Sequence, residues 1–411
     1  MTSHAPIPPR SRAAFWTAAC VIVQTLWTSA APAMSYAWYA HAWHIGNTTI
    51  SAIFAAYPVV VALTLLGLGG MSDAIGRRTT LLLGLAASIA GVASFALAQS
   101  VVALFVGRLF MGLGVGLAAG PASAALLDHA PAGDRSFASA INTCAQAFGL
   151  AAAAIAGGAL IEYAPDPAHG TFRLLLLLLA ALFAACWVCL PRTERVVSTP
   201  TKLRTARLSR TTRAIALRAA PPVMSAFIVG TVMLSLGAQI ARELVHSQNM
   251  LVNGVVIASF AIVWGVTSLV AKGAHRHRAI RAGSTAACAS MLLLAVAAQV
   301  HSLLFLILSV VAAGVGYALL FLSGLALVSE HIDDQHKALS LSLLYFAGYA
   351  MQGMTALALG MAASHVGLRE AVTYGAMAIS VLCALTGFTA GPLATAAGDN
   401  APRQPDDRRA A

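Results

Sequence analysis

Few side chains in this sequence can do chemistry, and two groups stand apart. The first is a single short stretch holding Gly69, Asp73, Gly76, Arg77 and Arg78. Its glycines allow a tight turn and close helix approach. Asp73 could pair with a base or cap a neighbouring helix N-terminus, and Arg77 and Arg78 suit anionic lipid headgroups. An ordinary basic loop would look similar. The second is Arg108, which stands alone between the uncharged runs 79–107 and 109–127, four residues before Gly112 and six before Gly114. A charge set inside an apolar helix costs about 2.5 to 3.5 kcal/mol on insertion scales, so it should face a protein interior or a wet cavity. Snorkelling to the outer interface is the alternative. No nucleophile-base pair, phosphate-binding glycine loop or metal cluster stands in a polar segment, so an enzyme is not expected, nor a cofactor or a metal. The six cysteines lie in apolar runs, and the Cys186–Cys189 spacing reads as helix packing.

The elements that position these groups follow from composition. The chain has 411 residues, 59% apolar and 9% charged, with mean hydropathy +0.80. A soluble domain is usually about 25% charged. This is an all-α integral membrane protein. Residues 13–72 contain no Asp, Glu, Lys or Arg, enough for two spans of roughly 20 residues with a turn near Trp43 to Asn47. The run 282–329 also holds two, turning near Gln299 to Ser302. Ala98 to Ser100 is a turn, which leaves Arg108 inside a helix covering 101–128. Twelve transmembrane helices result, in two pseudo-symmetric sets of six. Residues 1–191 form the first half and 219–398 the second. Between them, 192–218 is a basic linker with Glu194 as its one acid, suited to a cytoplasmic surface rich in anionic lipid. Residues 399–411 are a disordered cytoplasmic tail. No removable signal peptide is expected, since the first apolar segment is too long and further spans follow it.

Lys and Arg are distributed unevenly. The side carrying both termini holds 21, and the other side holds Arg173, Arg242 and Arg369. Basic loops stay inside, so both termini are expected in the cytoplasm of a cell inner-membrane protein. The net charge of +11 is thus a topology signal rather than a nucleic-acid footprint. Trp38, Tyr39, Trp43, His41 and His44 would form an interfacial belt on the outer side.

The halves repeat at an offset of 202 residues. Gly112 falls on Gly314, Gly114 on Gly316, Asp128 on Glu330, His129 on His331 and Arg135 on Lys337. Parallel repeats of this kind are a transporter signature. The loop matching Asp73 runs from Lys272 to Arg278, with no acid and no Gly-Arg-Arg.

Gly69, Asp73, Gly76, Arg77 and Arg78 together resemble the loop between helices 2 and 3 of the major facilitator superfamily. Arg108, Gly112 and Gly114 resemble the fourth-helix motif of its proton-coupled members. Gly149, Gly157 and Gly158 match the outer glycines of the fifth-helix motif in its drug:proton antiporter branch, with Ala153 and Ala154 where that branch has Gly-Pro. The resemblance implies a cytoplasmic latch at Asp73 and the two arginines, a monomer, and protons as coupling ion.

Candidate cavity residues in the first half are Gln24, Trp27, Tyr57, Asn142 and Gln146. In the second they are Gln239, Trp264, Tyr317, Tyr345, Tyr349 and Gln352. Asn142 and Gln146 share a helix face, as do Tyr345, Tyr349 and Gln352. Each is also explained by helix contact. No acid lies deep in a span, which disfavours strongly cationic substrates. The expected function is secondary transport by alternating access, as proton-coupled efflux of small amphipathic compounds. Uptake of a small anionic metabolite, with Arg108 as counter-charge, is the alternative; a transport-inactive scaffold is a remote one.

Overall fold

The computed structural model describes residues 9–167, 169–191, 210–271, 273–332 and 334–398. Twelve long helices follow one another. In chain order, α1 is Pro9–Ala30, α2 Asn47–Leu68, α3 Arg77–Ala96, α4 Val101–Asp128, α5 Arg135–Tyr163 and α6 Gly170–Cys189. The second set is α7 Arg210–Ser235, α8 Met250–Val270, α9 Arg276–Val300, α10 Leu303–His331, α11 Asp334–Val366 and α12 Leu368–Gly398. Among the described residues, 11 segments are long and apolar enough to cross a membrane, and α11, at 33 residues, is the twelfth long helix. Successive helices run in opposite directions. One face of the bundle, the terminal face, therefore carries the start of α1 and the end of α12; the other is the far face.

Sequence sets the helix ends. Ser100, Asp134 and Asn249 each accept a hydrogen bond from a backbone N–H in the first turn of the helix that follows, the ordinary N-cap arrangement. Gly76 starts α3 with φ 89°, a conformation that strains any side chain. Pro32, which cannot donate to the preceding turn, breaks α1 at Ala31, and a second piece, Pro32–Ala42, carries the chain to the far face. Residues 210–218, expected in the linker, are helical and continuous with α7. An uncharged run marks hydrocarbon, whereas a helix of Arg, Ala and Leu runs on past the membrane edge. The rest of the expected linker, 192–209, and the tail 399–411 lie outside the described residues.

Helices α1 to α6 pack among themselves and α7 to α12 do likewise; the sets meet through α5 against α8 and α2 against α11. The repeat is visible in packing. A Cβ on Gly112 would lie 2.8 Å from the Tyr57 carbonyl of α2, and one on Gly314 2.8 Å from the Phe260 carbonyl of α8. Gly114 meets the Gly84 carbonyl of α3 at 2.6 Å, and Gly316 the Ala287 nitrogen of α9 at 2.8 Å. Each matched pair of glycines does the same job in its own half.

Candidate functional site

At the terminal face Arg77, at the start of α3, forms an ion pair with Asp128 at the end of α4. In the second half Arg276, at the start of α9, pairs with Glu330 at the end of α10. Arg78 lies over the Trp187 ring, 5.1 Å from its centroid, and donates to the Trp187 carbonyl. Both arginines of the first loop are therefore held by protein groups. Asp73 lies in the short helix Met71–Ile75, and its side chain is outside the described residues; Gly69 caps the end of α2. The Arg77 and Asp128 side chains are 36% and 51% exposed, so water screens the pair and it contributes about 0–1 kcal/mol. Asp128→Asn should leave the thermal midpoint within about 3 °C of wild type, read by scanning fluorimetry; a larger loss would show the pair to be a structural staple.

Among the described residues, the polar contacts between the halves lie at the far face. Thr48, at the start of α2, donates its hydroxyl to the Ser364 hydroxyl of α11 at 2.9 Å. The Met250 N–H that opens α8 donates to the Glu162 carboxylate of α5 at 2.8 Å. Gln239 donates to Asn47 at 2.7 Å and to Glu243 at 3.0 Å. Glycines let the backbones close: a Cβ on Gly158 would sit 2.4 Å from the Met250 carbonyl, and one on Gly254 2.4 Å from that of Ala154. Of the other fifth-helix glycines, Gly149 packs on the Val23 carbonyl of α1 and Gly157 on Met34. Near this face Asp166 lies in the loop between α5 and α6. Burial opposes its charge, but His169 and Arg173 at 3.0 and 2.9 Å outweigh it and hold its carboxyl below the ordinary range.

Between the two sets lies a cavity of about 340 Å³. None of its described lining residues is charged. It reaches Leu65 and Ser123 near the terminal-face ends of α2 and α4, and its other end stops at Ser29 and Tyr57, short of the far-face seam. The wall from the first six helices is aliphatic and hydroxylic, with the Gln146 amide added. That from the last six is aromatic: the Tyr317 ring lies 5.2 Å from Trp264, 5.5 Å from Phe260 and 5.6 Å from Phe321, and Phe227 lies 4.9 Å from Tyr349. Such rings bury large apolar area and favour edge and offset contacts.

Seven of the sequence candidates line this cavity: Tyr57, Gln146, Trp264, Tyr317, Tyr345, Tyr349 and Gln352. Four do not. Gln24 bonds Thr28 within α1, and Trp27 packs into the core on both sides. Asn142 stands one layer back, accepting from the lining Ser123 at 3.0 Å, and Gln239 belongs to the far-face seam. Thr25, Ser29, Phe227 and Phe321 were missed; the available signals were hydroxyls four apart on α1 and rings at i, i+4 in Tyr317 and Phe321. Tyr39, expected in an outer belt, is fully buried, because the second piece of α1 is covered by α5 and its ring packs between Trp38 and Trp43.

Arg108 sits just beyond the closed end of the cavity and is 1% exposed, so it does not snorkel. Its guanidinium donates to the Ser29 carbonyl at 3.1 Å. It lies 4.7, 5.6 and 5.7 Å from the rings of Tyr57, Phe54 and Tyr36. Cation–π attraction of this kind contributes about 0.5 to 2 kcal/mol per ring. Among the described residues no carboxylate pairs with it.

The family model of the Major Facilitator Superfamily matches residues 16–356. Several solved transporters share the fold. A POT family transporter in complex with 5-aminolevulinic acid superposes with TM-score 0.76 at 14% identity, over 94% of this chain and 97% of that one. A bacterial homologue of the human lysosomal transporter Spinster gives TM-score 0.75 at 15% identity, covering 94% and 98%. The nucleoside transporter NupG gives 0.73 at 14%, covering 92% and 99%. No curated protein matches the sequence.

Proposed function

The chain belongs to the Major Facilitator Superfamily, and from that premise we propose that it is a gradient-driven exporter of small amphipathic compounds, coupled to protons, in a cell inner membrane. The observation that carries the reading is the uncharged, half-aromatic cavity between the two sets of helices, closed towards the far face by polar and glycine contacts. The 21 basic residues of the terminal side support a cytoplasmic location for that face. The state described is then inward-open, ready to load from the cytoplasm. Rocking of the halves about the cavity opens the far-face seam and releases the cargo outside. The Gly149 to Gly158 pattern supports export.

Coupling to protons is read with purified protein in liposomes holding an internal pH dye. Amphipathic compounds added on the loading side should drive counter-movement of protons, and the signal should vanish without protein. Compound movement with no proton signal would remove the antiport assignment. Silence towards amphipathic compounds and small organic acids alike would remove the substrate assignment.

A further inference from the structure

The geometry points to a head-group site for a monoanion at the closed end of the cavity, formed by Arg108 and Tyr36, with the apolar body of the same molecule lying on the aromatic wall opposite. It rests on the cavity being the transport site, and it adds the chemical class of the cargo.

Unsatisfied donors come first. Among the described residues, the Nε of Arg108 and the hydroxyl of Tyr36 are both buried without a hydrogen-bond partner, and the Tyr36 ring lies 5.7 Å from the guanidinium. A buried donor without a partner is destabilising, and a charged one more so. An anionic oxygen pair accepting from both groups would satisfy them, and the planar guanidinium suits a carboxylate.

Access is the second point. Ser29 and Tyr57 line the cavity, and the same two residues touch Arg108, one through its carbonyl and one through its ring. The Tyr57 ring thus stands between the cavity and the charge, and in this proposal it turns aside as the head group reaches Arg108.

Charge decides the sign. The described cavity lining holds no acid and no base, and the Arg108 charge touches it through Ser29 and Tyr57. Charges interact strongly where water is excluded. A cation would meet repulsion with no counter-charge, and a neutral molecule would leave the two donors unpaired. The opposite wall of Phe227, Phe260, Trp264, Tyr317 and Phe321 then takes a planar apolar body. A volume of about 340 Å³ lies at the small end of ligand sites, which suits one or two fused rings. The cargo class is an aromatic or similarly flat monocarboxylate.

Calorimetric titration of the full chain in nanodiscs tests this with three probes of one shape: 2-naphthoate, 2-naphthylmethanol and 2-naphthylmethylamine. Wild type should bind the carboxylate at least roughly tenfold more tightly than the alcohol, with the amine weakest. Arg108→Gln should weaken the carboxylate roughly 30-fold or more and leave the alcohol within about threefold. Arg108→Lys should keep part of the preference. If the Arg108 variants do not fold, Tyr36→Phe removes the second donor and should weaken the carboxylate alone. A purely structural Arg108 would lower all probes together. Equal wild-type binding of carboxylate and alcohol, both lost in Trp264→Ala, would overturn the head-group site and leave the cavity reading standing. No binding of any probe would overturn both.

Discussion

Replacing Gly254 by leucine is expected to abolish transport while leaving the protein folded. A Cβ at this position of α8 would lie 2.4 Å from the Ala154 carbonyl of α5, and a backbone carbonyl cannot move aside as a flexible side chain can. The clash lies between the two sets of helices, not within one. It therefore acts on the state in which the far face is closed and is relieved when that face opens. Overpacking of this kind costs about 1 to 3 kcal/mol, enough to shift a two-state balance roughly 5- to 150-fold. The variant should express, melt normally and remain open on the far face. A cysteine placed at Asn47 should then react faster with a membrane-impermeant maleimide. Normal flux in the variant would mean that the seam does not close during transport.

Gly114→Leu is expected to fail differently, by loss of folding. Here the added Cβ would lie 2.3 Å from the Ser88 hydroxyl oxygen and 2.6 Å from the Gly84 carbonyl, both on α3 within the same half. Helices α3 and α4 pack on each other within one set, and rocking of one set against the other leaves that contact in place, so the strain is not relieved. A cost of about 3 kcal/mol or more, the upper range for overpacking, is a large share of the stability of a typical protein. Gly316→Leu, the repeat partner, should behave alike, since its Cβ would meet Ala287 of α9 at 2.8 Å. Monodisperse yield in detergent reads the outcome. Well-folded Gly114→Leu protein would contradict the packing account.

Much of the fold could be read from the sequence because hydrocarbon is a demanding solvent. Backbone groups must pair within a helix there, so uncharged runs located the spans, and the turn at Ala98 to Ser100 placed Arg108 inside α4. The repeat of Asp128 and Glu330 pointed to equivalent helix ends. Their bases were harder to see. Arg77 and Arg276 are 199 residues apart while their acids are 202 apart, so the offset that aligns the acids hides the arginines. Cavity residues were legible where helices stay regular: the Tyr345, Tyr349, Gln352 face of α11 lines the cavity as a unit. Gln239 was misplaced because α7 stops at Ser235 and gives way to a short helical piece and a π-helical turn at Ile240–Leu244, which breaks the 3.6-residue period. Gln24 and Trp27 show a different limit. Polarity says that a side chain needs a partner, not which azimuth of its helix faces the cavity; α1 offers Ile22, Thr25, Leu26 and Ser29 instead.

The measurement that tests alternating access most directly is a pair of distances by double electron–electron resonance in a background with the native cysteines removed. One label pair, at Thr48 and Ser364, spans the far-face seam. The other, at the exposed positions Ala74 and Arg281, spans the terminal face. Without cargo the far pair should be short and the terminal pair long. As pH and cargo are varied, a second population should grow in which the far pair lengthens and the terminal pair shortens together. Distances that stay fixed at both faces while flux proceeds, or that lengthen together, would contradict the account.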